Sequence, residues 1–214
     1  MRAPDLRLIV ITDARLAAPR RIADVVAEAV AAGAPAVQLR DKHATARELA
    51  EQARQLMSIV HTAGARLFIN DRLDVALSIG ADGVHLGLDD LPVAAARRIS
   101  PEGFLIGYST DDPAAAAIAE REGADYIGCG AVFGTTTKTE AAGERIGPAR
   151  LDAVALAVRI PVVGIGGITA ANVAAVAATR AAGAAVVGAV MGAREVGHIV
   201  RELLGAFETV RPTR

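Results

Sequence analysis

Residues Arg66–Asp90, RLFINDRLDVALSIGADGVHLGLDD, decide how the rest of the chain is read. Arg66-Leu67-Phe68-Ile69 is a short apolar run with the length and composition of a strand. It stops at Asn70-Asp71, residue types typical of a turn or a helix cap. Leu73, Ala76 and Leu77 then recur at helical spacing, and Gly80 ends that helix. A second apolar run, Gly83-Val84-His85-Leu86, follows and closes on Gly87-Leu88-Asp89-Asp90. Two parallel strands joined by a helix therefore each end in carboxylates. Strand C-terminal ends of a parallel sheet lie on one side, so Asp71 and one of Asp89 or Asp90 can face the same cleft. Two converging carboxylates repel unless a cation lies between them, and Mg²⁺ takes one or two carboxylates plus water and substrate phosphates. The plainer alternative is that these acids only cap the helices that follow them.

The same strand-then-helix alternation runs through the whole chain. Further strands are expected at Leu8–Thr12, Ala36–Leu39, Phe104–Gly107, Asp125–Gly128, Pro161–Gly164 and Ala184–Val187. Helices are expected at Ile22–Ala32, Thr45–Ala63, Leu91–Ile99, Pro113–Glu122, Pro148–Val158, Ala170–Arg180 and Gly192–Val210. Thr45 and Glu48 form a capping-box pattern. Pro92 is expected in the first turn of its helix and Thr169 as a cap. The sum is eight strands and eight helices in strict alternation, the pattern of a single (β/α)8 TIM barrel, an α/β fold filling residues 1–214 as one domain. A doubly wound open sheet is the competing architecture, but no G-x-G-x-x-G follows the first strand. Gly-Ala pairs at Gly33-Ala34, Gly80-Ala81, Gly123-Ala124 and Gly183-Ala184 mark helix-to-strand turns at the barrel floor. Arg211–Arg214 is expected to fray.

Composition narrows the function classes. A net charge of −1 argues against a nucleic-acid partner. The absence of tryptophan argues against base-stacking platforms. No run of about 18 apolar residues suggests a membrane span. The N-terminus lacks a long apolar run after its positive charges, so no signal peptide is expected. The single cysteine, Cys129, excludes an internal disulfide and suggests a reducing, cytoplasmic setting.

Polar and glycine signals gather just after the expected strands, where this fold carries its chemistry. After the second strand come Gln38, Leu39, Arg40, Asp41 and Lys42. Gln38 and Arg40 alternate with Leu39 and so share a face toward the barrel mouth. Arg40 and Lys42 offer a planar fork and a point charge, a pair suited to pyrophosphate, though they could equally be a solvated charge run. Asn70 can donate and accept at once. Ser109 and Thr110 can donate to phosphate oxygens or cap the next helix. After the sixth strand, Thr135-Thr136-Thr137-Lys138 reads as an anion-binding loop or a flexible polar linker. Cys129, between glycines, reads as a small buried residue, and His85 as a core or supporting residue rather than an acid or base. Gly166-Gly167 and Val187-Gly188 occupy the seventh and eighth loops, where TIM barrels commonly hold a phosphate.

Taken together these residues resemble the thiamine-phosphate synthase family. The likeness runs through QLRDK at Gln38–Lys42, IND at Ile69–Asp71, GADGVHLG-x-DDLP at Gly80–Pro92 and ST at Ser109-Thr110. It continues with ADYIG at Ala124–Gly128, VFGTTTK at Val132–Lys138 and IPVVGIGGI at Ile160–Ile168. The resemblance implies a Mg²⁺-dependent TIM-barrel transferase that joins a pyrimidine pyrophosphate to a thiazole phosphate and releases pyrophosphate through a dissociative pyrimidine cation. It further implies that Gln38–Lys42, Asn70, Ser109 and Lys138 contact the pyrimidine substrate. Asp71 and Asp90 would hold the metal. Thr135, Thr136, Thr137, Gly166-Gly167 and Val187-Gly188 would contact the thiazole phosphate. Arg40, Lys42, Ser109 and Lys138 would carry the catalytic load. The implied partners are these small molecules, and the sequence is compatible with a homo-oligomer.

The chain departs from the family pattern at Leu88, usually Gln; at Ala131, often Pro; near Asp111, where His is common; and at Gly188, usually Ser. Loss of one serine hydroxyl is worth about 1 kcal/mol of phosphate binding. Two other classes stay open: an enzyme like the related thiazole tautomerase, which acts without metal, and a non-catalytic thiamine-phosphate-binding protein.

Overall fold

The computed structural model describes residues 4–134 and 145–210. Eight parallel strands close on themselves in chain order: β1 (Leu8–Ile11), β2 (Ala36–Leu39), β3 (Arg66–Asn70), β4 (Gly83–Leu86), β5 (Leu105–Ser109), β6 (Tyr126–Gly130), β7 (Val162–Ile165) and β8 (Gly183–Val186). β8 pairs with β1, Leu8 opposite Ala184, which leaves no sheet edge. The helices between them are α1 (Ala14–Ala17), α2 (Ile22–Ala31), α3 (Ala46–Thr62), α4 (Leu73–Ile79), α5 (Val93–Ile99), α6 (Pro113–Glu122), α7 (Gly147–Ala157), α8 (Val173–Ala177), α9 (Gly188–Met191) and α10 (Val196–Val210). The expected TIM barrel is thus the observed one. None of the described helices is long and apolar enough to cross a membrane.

The strands read as nearly continuous apolar runs because both of their faces are covered. Leu8, Val10, Val37, Leu39, Leu67 and Ile69 pack outward against the helices. Ile9, Ile11, Ala36, Phe68, Tyr126, Val163 and Ala185 fill the barrel interior. The two large rings need space that neighbouring strands provide by omission. A Cβ on Gly83 would lie 2.9 Å from Phe68, and one on Gly107 only 2.2 Å from the Tyr126 ring.

The Gly-Ala pairs have a physical account. Gly33, Gly80 and Gly123 take positive φ at the ends of α2, α4 and α6. The amide of the following alanine then reaches back five residues: Ala34 to Ala29, Ala81 to Ala76 and Ala124 to Ala119. Gly64-Ala65 repeats the device through Val60. Gly183-Ala184 does not: both residues belong to β8 itself. Two pairs are followed by an aspartate that ties the floor together. Asp82 accepts from the Leu67 amide at 2.8 Å. Asp125 accepts from the Ile106 amide at 2.7 Å and from Arg97.

Several boundaries move. Strict eightfold alternation fails at α1 and α9, four-residue helices too short to show a period. α1 is held by Asp13, whose carboxylate accepts from the Arg15 and Leu16 amides. Pro92 is the N-cap of α5 and not a residue of its first turn. α8 starts at Val173, so Thr169 is no cap; its amide donates to Asn172 Oδ1 instead. α10 begins at Val196, four residues later than the composition suggested. β5 and β6 each run two residues further, to Ser109 and Gly130. Arg211–Arg214 lie outside the described residues.

Asp125→Ala would leave a strand amide and a guanidinium without their carboxylate. It is expected to lower the unfolding free energy by about 2 kcal/mol in urea titrations followed by circular dichroism. Glu102→Ala, at an exposed position, should stay within about 0.5 kcal/mol of the parent.

Candidate active site

All eight strands deliver their C-terminal ends to one rim, and on β2 to β5 the inward positions turn from apolar to polar as they near it. On β2, Ala36 is followed two residues later by Gln38; on β3, Phe68 is followed by Asn70. Gln38 is 4% exposed, and its amide donates to Asn70 Oδ1 at 2.7 Å. This pair presents an amide surface across two adjacent strands. Arg40 follows Gln38 on the same face. Its backbone amide donates to Thr12 Oγ1 at 3.0 Å, pinning the loop after β2 to the end of β1. Its Nε is buried and has no hydrogen-bond partner among the described residues. A solvated charge run would not bury that donor.

Asp41 turns the chain. Its carboxylate accepts from the amides of His43 and Ala44 and from the Gln52 side chain. Burial opposes its ionisation, yet the His43 amide, the Gln52 side chain and the Ala44 amide together hold its pKa below the usual carboxylate value. Lys42 projects from this turn and is exposed. Leu39 packs outward in the layer between sheet and helices, so only its backbone can face the rim.

The acids after β3 and β4 are not helix caps. The N-cap of α4 is Arg72 and that of α5 is Pro92, neither helix with a side-chain cap. Asp71 is the only described non-glycine residue with positive φ, at 62°. Such a conformation costs about 1–3 kcal/mol in a non-glycine residue and concentrates at functional sites. Its amide donates to His85 O at 2.8 Å, joining the end of β3 to β4. Asp90 Oδ2 accepts from the Gly87 amide at 2.7 Å, which folds the loop after β4 back over the strand end. Asp89 is exposed. Asp71 and Asp90 therefore follow neighbouring strands on one rim and offer oxygen donors only, a set that fits Mg²⁺. Among the described residues there is no group of three or more metal-ligating side chains, the cage of a dedicated protein-only metal site.

Ser109 closes β5 and does not cap α6, whose N-cap is Asp112. It bonds inward to His85 Nε2 at 2.8 Å, and His85 Nδ1 bonds Tyr126 OH at 2.9 Å. Burial, and then the nearby Asp125 charge, push the Tyr126 pKa upward. Cys129 is buried in β6, and burial pushes its thiol up to about 12, which suits packing rather than nucleophilic attack.

The loops after β6 and β7 are laced together. Val132 and Phe133 amides donate to Ile165 and Gly166 carbonyls at 2.8 and 3.0 Å. The return leg is held too, with Ile146 N donating to Ala131 O at 3.0 Å. Gly166 has a positive φ and packs so close that a Cβ there would lie 2.5 Å from Ala131 Cβ. A Cβ on Gly167 would lie 2.6 Å from Gly134 O. Thr135, Thr136, Thr137 and Lys138 lie outside the described residues. Val187 and Gly188 open α9 after β8. A Cβ at Gly188 would meet only Leu16 Cδ1, at 3.7 Å, so the position is open. A cleft of about 440 Å³ is lined by Gly188, Gly192, Arg194 and His198; of the expected site residues it touches Gly188 alone.

Residues 8–190 match the family model described as "Thiamine monophosphate synthase". The chain belongs to the thiamine monophosphate synthase family. It is 48% identical over 196 residues to "Thiamine-phosphate synthase" of Methanoculleus marisnigri, covering 92% of each chain. It is 44% identical to the protein of that name from Natronomonas pharaonis, covering 97% of this chain and 98% of the relative. The solved structure of thiamine phosphate pyrophosphorylase from Pyrococcus furiosus superposes with a TM-score of 0.88 at 41% identity, over 97% of this chain and 98% of that one.

Within this family member, the element that residue-by-residue reading missed is the His85–Tyr126 pair beneath Ser109. A signal existed: Gly107 and Gly128 sit at inward positions on either side of those rings. A Cβ on Gly107 would lie 2.5 Å from His85 Nδ1, and one on Gly128 2.9 Å from His85 Cε1. Gly107→Ala is expected to displace both rings and to cost at least about 2 kcal/mol. Thermal unfolding, together with the near-ultraviolet tyrosine signal of a chain without tryptophan, checks this.

Proposed function

We propose that the chain condenses 4-amino-2-methyl-5-(diphosphooxymethyl)pyrimidine with a thiazole phosphate, giving thiamine phosphate and pyrophosphate. The observation that carries this reading is similarity to relatives of that name over more than nine-tenths of both chains. We place the enzyme in the cytoplasm, as one domain over residues 1–214.

The reaction breaks a C–O bond at a CH₂ on an electron-rich ring. Pyrophosphate leaves with the bonding pair, the ring stabilises the resulting cation, and the thiazole nitrogen forms the new C–N bond. No protein nucleophile is required. What the chain must do is bind and neutralise a highly charged leaving group, and hold two substrates in line. The Gln38–Asn70 amide pair faces the aminopyrimidine, which donates and accepts as an amide does. Arg40 and Lys42 hold the pyrophosphate from the β2 side, and the Arg40 Nε, without a partner among the described residues, is a ready donor for it. Lys138 is assigned a second positive charge on the pyrophosphate. Ser109 adds a hydroxyl. Leu39 contributes its backbone, and Asp41 shapes the turn that carries Lys42. The Gly166-Gly167 amides and Val187-Gly188, in the seventh and eighth loops, hold the thiazole phosphate, and Thr135, Thr136 and Thr137, after the sixth strand, are assigned to it as well. Asp71 and Asp90 would hold Mg²⁺, which when bound offsets charge on the departing pyrophosphate.

Pyrophosphate release should require both substrates and Mg²⁺. Conversion of the thiazole phosphate alone with no pyrophosphate released, or no reaction at all, would sink the transferase reading and point to the tautomerase-like or the non-catalytic alternative. Lys138→Ala should fold normally and turn over at least about tenfold more slowly; full activity removes Lys138 from the mechanism. Asp71→Asn should abolish the Mg²⁺ dependence of pyrophosphate release. An unchanged metal requirement moves the metal to other ligands.

A further inference from the structure

We propose that Tyr126 and His85 are positioning residues that aim the Ser109 hydroxyl: the phenol fixes the imidazole tautomer, the imidazole occupies the serine oxygen as an acceptor, and the serine proton is left to donate to the pyrimidine pyrophosphate. The proposal rests on the reading above only in placing Ser109 against that substrate.

The direction of the chain of hydrogen bonds follows from its buried end. Tyr126 is 1% exposed and sits among Ile9, Ala36, Phe68 and Val163. Phe68 meets its ring edge-on at 5.4 Å. Among the described residues, the one hydrogen bond recorded for its hydroxyl is to His85 Nδ1, at 2.9 Å. A buried phenol must give its proton to an acceptor, because an unmade donor in an apolar interior is costly. The upward shift of its pKa keeps that proton on the oxygen. Nδ1 of the neutral ring is then the acceptor, which puts the ring proton on Nε2. Nε2 donates to Ser109 Oγ at 2.8 Å. Ser109, the last residue of β5 and half-buried at the rim, keeps its own proton to give away. The opposite direction would have Ser109 donate to Nε2 and Nδ1 donate to the phenol oxygen. It leaves the Tyr126 proton without an acceptor and the serine without a donor for substrate.

The array is built into the fold. Its members come from three consecutive strands, β4, β5 and β6. A Cβ on Gly107 would lie 2.2 Å from Tyr126 Cζ and 2.5 Å from His85 Nδ1. One on Gly128 would lie 2.9 Å from His85 Cε1. The two rings lie with centroids 5.3 Å apart, tilted by 37°.

The first measurement needs no variant of the array. ¹⁵N spectra of imidazole-labelled protein, at a pH where His85 is neutral, resolve four histidines; His85→Gln assigns the signal. A protonated Nε2 and bare Nδ1 are expected, and the Nδ1–H tautomer overturns the proposal whatever the enzyme's activity. The second measurement is kinetic. Tyr126→Phe keeps the ring and its stacking but removes the hydroxyl. It is expected to lower kcat/KM for the pyrimidine substrate about tenfold in the parent and by less than about twofold in a Ser109→Ala background. Equal losses in both backgrounds would mean that Tyr126 acts by some route other than the serine, and would overturn it. If Ser109→Ala alone leaves kcat/KM unchanged, the proposal falls at its substrate end together with the role given to Ser109, while the reaction itself is tested separately by pyrophosphate release. Should Tyr126→Phe fail to fold, the tautomer in the parent protein still decides.

Discussion

Closure of the barrel is the constraint on which everything else depends. Because β8 hydrogen-bonds to β1 and every strand is parallel to its neighbours, all eight C-terminal ends lie on one rim. Each loop that follows a strand therefore opens at the same place, whatever its distance along the chain. Arg40, Asp71, Asp90 and Gly166 are spread over more than half the sequence yet share a rim for this reason alone. The floor at the other end is devoted to stability. There, glycine-ended helices and strand-clamping aspartates such as Asp82 and Asp125 secure the turns.

Within the barrel, the period of two along β2 to β5 sorts chemistry by height. One layer down, inward positions carry Ala36, Phe68, Gly83 and Gly107; at the next inward position up stand Gln38, Asn70, His85 and Ser109. The lower layer is an apolar plug, and the upper one is a set of hydrogen-bonding groups resting on it. The glycines of the lower layer are where Phe68 and Tyr126 find their volume. Packing below and polar geometry above are thus parts of one arrangement. A change of side-chain size at Gly107 reaches the rim through His85.

The loops divide by how they are held. The turn after β2 is ordered by its own acid, Asp41, and by Thr12 from the neighbouring strand. The loops after β6 and β7 order each other through backbone bonds and close glycine contacts, so that Gly166-Gly167 lies against Ala131, Phe133 and Gly134. The loop after β4 is closed by Asp90 on Gly87. Where a polar side chain shapes the loop, it is close in sequence or at the end of an adjacent strand, within reach of a short loop on a rigid barrel.

The amino-acid sequence by itself determined the alternation of strand and helix, the barrel, the family, and which residues would stand at strand ends. Those features are local: a period, a cap, a glycine, a motif of consecutive residues. Short elements such as α1 and α9 escaped it, because four residues carry no period, and so did the start of α8, where Asn172 rather than Thr169 makes the turn. Only the tertiary structure decided what the strand-end residues do to one another. It put the Gln38 amide on Asn70, gave Asp71 its left-handed backbone, buried the Arg40 Nε, and joined Tyr126, His85 and Ser109 into a single line. Those are contacts between different strands, set by register and by the space that glycines leave, and no pattern along one strand encodes them.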